Sequence, residues 1–145
     1  MGDTEIITLC GSTKWAFSTQ SKNLGKKGGL KPTNKTKMND KPEIITLCGS
    51  TKFKDKFNEI NKLFSLQGKI VLSVAFFTHA DNDDITAGQK ENLDDLHFKK
   101  IDLSDSIFVI DINKYISQST NNEIEYAKSK GKKIIYYSEW IKKNE

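Results

Sequence analysis

Three features predict that this chain folds as an α/β protein, a small doubly wound parallel sheet with helices on both faces. Four apolar runs, at 44–48, 69–77, 106–112 and 132–138, are continuous rather than alternating, which suits strands covered on both sides. The stretches between them carry apolar residues at helical spacing. Gly68 and Gly131 stand where two of those helices must end.

The elements follow in order. Residues 44–48 read as a buried strand, Gly49, Ser50 and Thr51 as a turn and helix cap, and 52–67 as a helix whose Phe53, Phe57, Ile60 and Phe64 share one face. A second strand is expected at 69–77 and a polar loop at 78–84. A long helix then starts near Thr86, with Gln89 completing a capping box and Leu93, Leu96, Ile101 and Leu103 on its inner face. The third strand, 106–112, leads through a loop to a helix at 120–130, and 132–138 supplies the fourth strand. Right-handed crossovers between such strands give a Rossmann- or flavodoxin-like sandwich, in which ligands bind beyond the carboxyl ends of the strands.

The decapeptide Glu-Ile-Ile-Thr-Leu-Cys-Gly-Ser-Thr-Lys occurs twice unchanged, at 5–14 and 43–52. Only the second copy runs into an amphipathic helix. The first meets a tract at 18–40 rich in Lys, Asn, Thr, Gly and Ser, with too little apolar surface to offset the entropy of ordering. Residues 1–42 are therefore expected to be a duplicated strand segment and flexible linker outside the fold, and 43–145 one domain of common size. The working protein is expected to begin near Met38.

Net charge is +4, but residues 1–42 hold eight lysines against three acidic residues, which leaves the domain close to neutral. A near-neutral domain argues against a specific nucleic-acid face. Cys10 and Cys48 each close an apolar run, a place for a small buried thiol rather than a disulfide. With neither a long apolar run nor a leader pattern, the chain reads as a cytoplasmic protein without membrane partners.

Candidate site residues cluster after the strands. Gly49, Ser50 and Thr51, following Cys48, open a helix where amides and the helix dipole favour an anion; a tight turn with a serine or threonine cap explains them equally well. His79 and Asp81 follow the second strand, with Asn82, Asp83 and Asp84 beside them. That run lacks the glycine and final glutamate of a calcium loop, and no metal site is expected. Asp111 sits near the end of the third strand and counts among the substrate-binding candidates. Asp94 and His97 share a face of the long helix, where a structural role competes with a catalytic one, and Asp102 lies further along it. Thr120 and Glu123 have capping-box spacing. Alternatively Glu123, at a helix start, is a nucleophile or base kept ionised by the dipole.

Strand-Cys-Gly-Ser, the acidic helix before the third strand, and Ser-Thr-x-x-Glu-Ile-x-Tyr-Ala followed by Gly-Lys together resemble the nucleoside 2-deoxyribosyltransferase superfamily. Its branch of 2′-deoxynucleoside 5′-phosphate N-hydrolases is the most similar. The resemblance spans about residues 43–138. It implies that Glu123 attacks the anomeric carbon, that Gly49 and Ser50 hold ribose or phosphate, and that Ser117 and Ser119 hold a 5′-phosphate. It implies also a nucleoside or nucleotide substrate, no cofactor, and a homodimer or larger homo-oligomer. The chain departs from the pattern in two places. Where relatives carry a catalytic Asp this chain has His97, with Asp94 one turn before, and Ser119-Thr120-Asn121-Asn122 replaces a glycine-rich loop. A nucleotide-sensing module that cleaves nothing is the alternative reading of the same pocket.

Overall fold

The computed structural model describes residues 41–145. The expectations for the repeat at 5–14 and the tract at 18–40 lie outside the described residues.

The chain forms β1 (Ile44–Gly49), a 3-10 turn (Thr51–Phe53), α1 (Lys54–Leu66), β2 (Ile70–Leu72), α2 (Thr78–Asp81), α3 (Ala87–Leu103), β3 (Ser106–Ile110), a second 3-10 turn (Ile112–Lys114), α4 (Gln118–Ser129), β4 (Lys133–Tyr136) and α5 (Tyr137–Asn144). The strands are parallel in the order β2-β1-β3-β4. From β1 the chain winds to β2 and then back across to β3, so the direction of winding reverses between the two central strands. That switch point opens a crevice at their carboxyl ends.

Neighbouring residues along β1 and β3 face opposite layers, which explains the unbroken apolar runs. Ile45, Leu47, Phe108 and Ile110 pack with Phe57, Ile60 and Phe64 of α1, and Tyr137 and Trp140 of α5 close that layer. Phe108 meets Phe64 and Trp140 edge to face, with ring centroids 5.0 and 5.8 Å apart. Cys48, Ile107 and Val109 face the other way, against Ile101 of α3 and Ile124 and Ala127 of α4. Burial of each large apolar side chain here contributes about 1.5–3 kcal/mol.

The predicted fold class holds, and several element boundaries move. The second strand ends at Leu72 rather than residue 77, because β2 is an edge strand paired with β1 over only three residues. Beyond it Val74 and Phe77 continue to pack on the α1 layer without strand pairing. A helical turn, α2, occupies the expected polar loop. The capping box of Thr86 and Gln89 is formed. On α3, however, Leu96 and Leu103 are exposed, and His97 and Ile101 are the residues that face the sheet. The fourth strand stops at Tyr136, and residues from Tyr137 turn into α5, which places Tyr137 and Trp140 one turn apart over the core.

Candidate active site

A cleft of about 630 Å³ opens beyond the carboxyl ends of β1 and β2. One wall is the turn after β1, Gly49 to Lys52; a second runs from Val74 to His79 and on to Ile85; the third is α3, with Lys90, Leu93, Asp94, His97 and Lys100. Tyr115, Ser117, Gln118, Ser119 and Glu123 complete the lining. Most of the lining side chains are polar or charged, and Val74, Ala75, Phe76, Ile85, Leu93 and Leu96 supply apolar surface among them.

The turn after β1 is shaped by packing. A Cβ at Gly49 would lie 3.1 Å from both Cβ and the carbonyl oxygen of Ile110 and 3.3 Å from Phe57 Cζ, at φ +155°. Glycine therefore lets the strand end lie against β3 and α1. Ser50 is the residue before the 3-10 turn, and its carbonyl accepts the Phe53 amide at 3.0 Å, but its hydroxyl makes no capping bond. The Thr51 hydroxyl bonds Nδ1 of His79 instead, which ties the β1 turn to α2 across the cleft mouth. Lys52 lays its ammonium over the ring of Tyr115, 3.3 Å from the centroid.

Glu123 lies at the floor. Ser117, in extended conformation, is the N-cap of α4: its hydroxyl accepts the Thr120 amide at 3.2 Å and bonds the Thr120 hydroxyl at 2.9 Å. The expected start at Thr120 is thus moved two residues back, and Glu123 falls in the second turn. It closes no capping box, and the helix dipole does not hold it ionised. Its side chain is 14% exposed, and Oε2 is buried with no hydrogen-bond partner. Burial, reinforced by the nearby charge of Asp94 and opposed by Cys48, pushes its pKa from 4.5 to about 8. The expectation of a carboxylate ionised by its helix is overturned; at neutral pH this carboxyl keeps its proton.

His97 stands beside it, Nε2 3.7 Å from Glu123 Oε2 and 3.5 Å from Cys48 Sγ. Burial and then the charge of Lys100 lower its pKa to about 4. With imidazole and carboxyl both neutral near pH 7, the 3.7 Å approach is a contact of neutral groups rather than an ion pair. Cys48 is fully buried behind them, and burial followed by Glu123 raises its thiol pKa well above the usual range. Asp94 lines the cleft paired with Lys90 at 2.5 Å.

Of the residues expected to bind substrate, Gly49, Ser50, Thr51, His79, Ser117 and Ser119 line the cleft, and Cys48, Asp81, Asp111 and Thr120 do not. Asp81 pairs with Lys54 at 2.6 Å on the surface. Thr120 is buried under Ser117. Asp111 accepts the Ser138 amide at 2.8 Å and the Ser138 hydroxyl at 2.6 Å, so it caps the first turn of α5. Asp102 receives the Tyr126 hydroxyl at the surface. Three cations that the sequence did not mark, Lys52, Lys90 and Lys100, also line the cleft. Lys100 lines the cleft half-buried, its Nζ bonded to the Ser73 carbonyl at 2.7 Å, and burial lowers its pKa. Its spacing of three residues from His97 was the available signal.

No family model matches the chain, and no curated protein matches it. Among solved structures it is similar to the Clostridium botulinum CMP N-glycosidase BcmB, at 21% identity and a TM-score of 0.46, over 65% of this chain and 70% of that one. A likeness of that size assigns no chemistry. The class defined by the sheet and cleft is a doubly wound α/β protein with a cleft beyond the carboxyl ends of its strands.

Proposed function

We propose that the protein cleaves, or exchanges the base of, the N-glycosidic bond of a nucleoside or deoxynucleoside or its 5′-monophosphate. The observation that carries this reading is Glu123 Oε2, buried without a hydrogen-bond partner at the floor of a nucleotide-sized cleft. A carboxyl left unsatisfied in that position costs stability, and a bound ligand would give it a role. Glu123 Oε attacks C1′ as the C–N bond breaks, and the electron pair leaves with the base. The proton that Glu123 held ends on that base, relayed by Asp94 or His97. Water or a second base then opens the glycosyl ester with net retention. In this reading the β1 turn, Ser117 and Ser119 hold the sugar and phosphate, and the cations Lys52 and Lys100 offset phosphate charge. The protein works as a homodimer or larger homo-oligomer in the cytoplasm, and residues 1–37 are dispensable to the fold. Leu103 of α3 and, seven residues before it at the cleft rim, Leu96 are exposed on one face of the helix, which supports an oligomer. Among the described residues no helix is long and apolar enough to cross a membrane.

The test is base release from a panel of nucleosides, deoxynucleosides and their 5′-monophosphates by the full chain. Free base from one of them is expected. Tight binding of a nucleotide with no base released from any substrate would replace this reading by a sensing module. Soluble, folded protein from a chain starting at Met38 is expected; insolubility would show that the first residues are needed.

A further inference from the structure

The side chains of Cys48, His97 and Glu123 come from three different elements, β1, α3 and α4, and meet at one point behind the cleft. Their ligand atoms, one thiol sulfur, one imidazole nitrogen and one carboxylate oxygen, all lie within 4.8 Å of one another. We propose that these three residues bind a thiophilic divalent cation of the zinc type, and that an ion held there withdraws Glu123 from chemistry.

Geometry carries the argument. Bonds of about 2.3 Å to sulfur and about 2.0–2.1 Å to nitrogen and oxygen at tetrahedral angles put ligand atoms roughly 3.3–3.6 Å apart. Here Sγ and Nε2 are 3.5 Å apart, and Nε2 and Oε2 3.7 Å. A triangle with those sides and a third of no more than 4.8 Å has a point within about 2.4 Å of all three corners. Small side-chain shifts then give bonding distances. Sulfur, nitrogen and oxygen together select a borderline-soft metal over magnesium or calcium. Binding displaces the Cys48 thiol proton and the Glu123 carboxyl proton to solvent, and the dication then offsets the charges of the resulting thiolate and carboxylate, so the occupied site is neutral in its buried surroundings. Glu123 Oε2, buried and without a partner, gains one. His97 and Glu123 line the cleft and Cys48 does not, so the fourth coordination position faces the cleft, which also provides the entry path. His97 Nδ1 has no second partner to orient the ring, so binding is expected to be weaker than in sites that have one.

The regulatory half rests on the glycosidase reading; the binding half does not, and the first readout uses no substrate. Co²⁺ added to the full chain is followed by absorption. One equivalent is expected to produce a thiolate charge-transfer band in the near ultraviolet, displaced by Zn²⁺. The band should persist in Cys10→Ser, which removes the other cysteine, and vanish in Cys48→Ser. No band at millimolar Co²⁺, or an undiminished one in Cys48→Ser, overturns the proposal. Should Cys48→Ser fail to fold, Glu123→Gln decides: Zn²⁺ affinity is expected to fall at least tenfold, and an unchanged affinity overturns the site. If base release is found, Zn²⁺ should inhibit it with the midpoint of binding. Inhibition that persists in a Cys48 variant retaining activity would refute the control while leaving the glycosidase reading intact.

Discussion

The two ends of the parallel sheet treat a glutamate in opposite ways. At the amino edge Glu43 precedes β1, forms an ion pair with Lys69 and accepts the Ser106 hydroxyl at 3.0 Å. The hydrogen bond from Lys69 leads the effects that hold its pKa below the usual value. At the carboxyl edge Glu123 is more deeply buried, has an orphaned oxygen, and sits beside a neutral histidine. A carboxylate used for structure is surrounded by donors. Glu123 Oε2 is instead left without a donor, at a cost in stability.

Breaking that contrast at Glu123 has the largest expected effect. Glu123→Gln keeps size and neutrality, so the fold and ligand binding persist while base release falls on the order of 10³-fold or more, equivalent to roughly 4 kcal/mol of barrier. Steady-state rates and nucleotide binding on the same preparation check it. A variant retaining more than a tenth of the activity would refute the nucleophile.

The next effect is read in stability against pH, with a chelator present. Glu123 binds its proton more tightly folded than unfolded, so its contribution is complete below pH 4.5 and is lost as pH rises toward about 8. His97 acts the other way: its contribution is complete above pH 6.5 and is lost as pH falls toward about 4. Between 4.5 and 6.5 the two slopes offset each other. From pH 6.5 to 8 only Glu123 acts, and its share amounts to about 2 kcal/mol at roughly 1.4 kcal/mol per pH unit. Urea unfolding should show that loss in the wild-type chain and not in Glu123→Gln. Equal profiles would mean that Glu123 is not the proton-holding group.

Asp111→Ala sharpens the comparison from a third position. It removes both acceptors of the Ser138 amide and hydroxyl at the start of α5, and a loss of about 0.5–2 kcal/mol in unfolding free energy is expected. An unchanged midpoint would show that α5 is held by Tyr137 and Trp140 alone. Glu43→Gln has the smallest effect. Its ion pair is partly exposed, so a loss of less than about 1 kcal/mol is expected, confined to pH above the lowered Glu43 pKa. A larger loss, measured by thermal melting in low and high salt, would mean that the amino edge depends on this pair.

The strands were legible because β1 and β3 are covered on both faces, and that alone produces unbroken apolar runs such as Ile107 to Ile110. Helix α5 was not, because Ile134 to Tyr137 continues the apolar run through the strand end and the residue that caps the helix, Asp111, lies 27 positions away from Ser138. The same distance in sequence hid the true role of Asp111. Glu123 was singled out from its setting in a resembling motif, but its neutral state was not, since burial is a property of the packed cleft. The meeting of Cys48, His97 and Glu123 depends on where β1, α3 and α4 cross, and no spacing along the chain encodes it. Lys100 passed unnoticed among 23 lysines; only the cleft distinguishes it.

The most direct test of the central claim compares two glutamates of one helix. Base release from the nucleoside and nucleotide panel is measured for the wild-type chain, Glu123→Gln and Glu125→Gln, Glu125 being an exposed residue paired with Lys128 at 2.9 Å. Release by the wild type and Glu125→Gln, with none from Glu123→Gln, is the predicted result. Equal release from both variants, or release from none of the three, would contradict the assignment of N-glycosidic chemistry to Glu123.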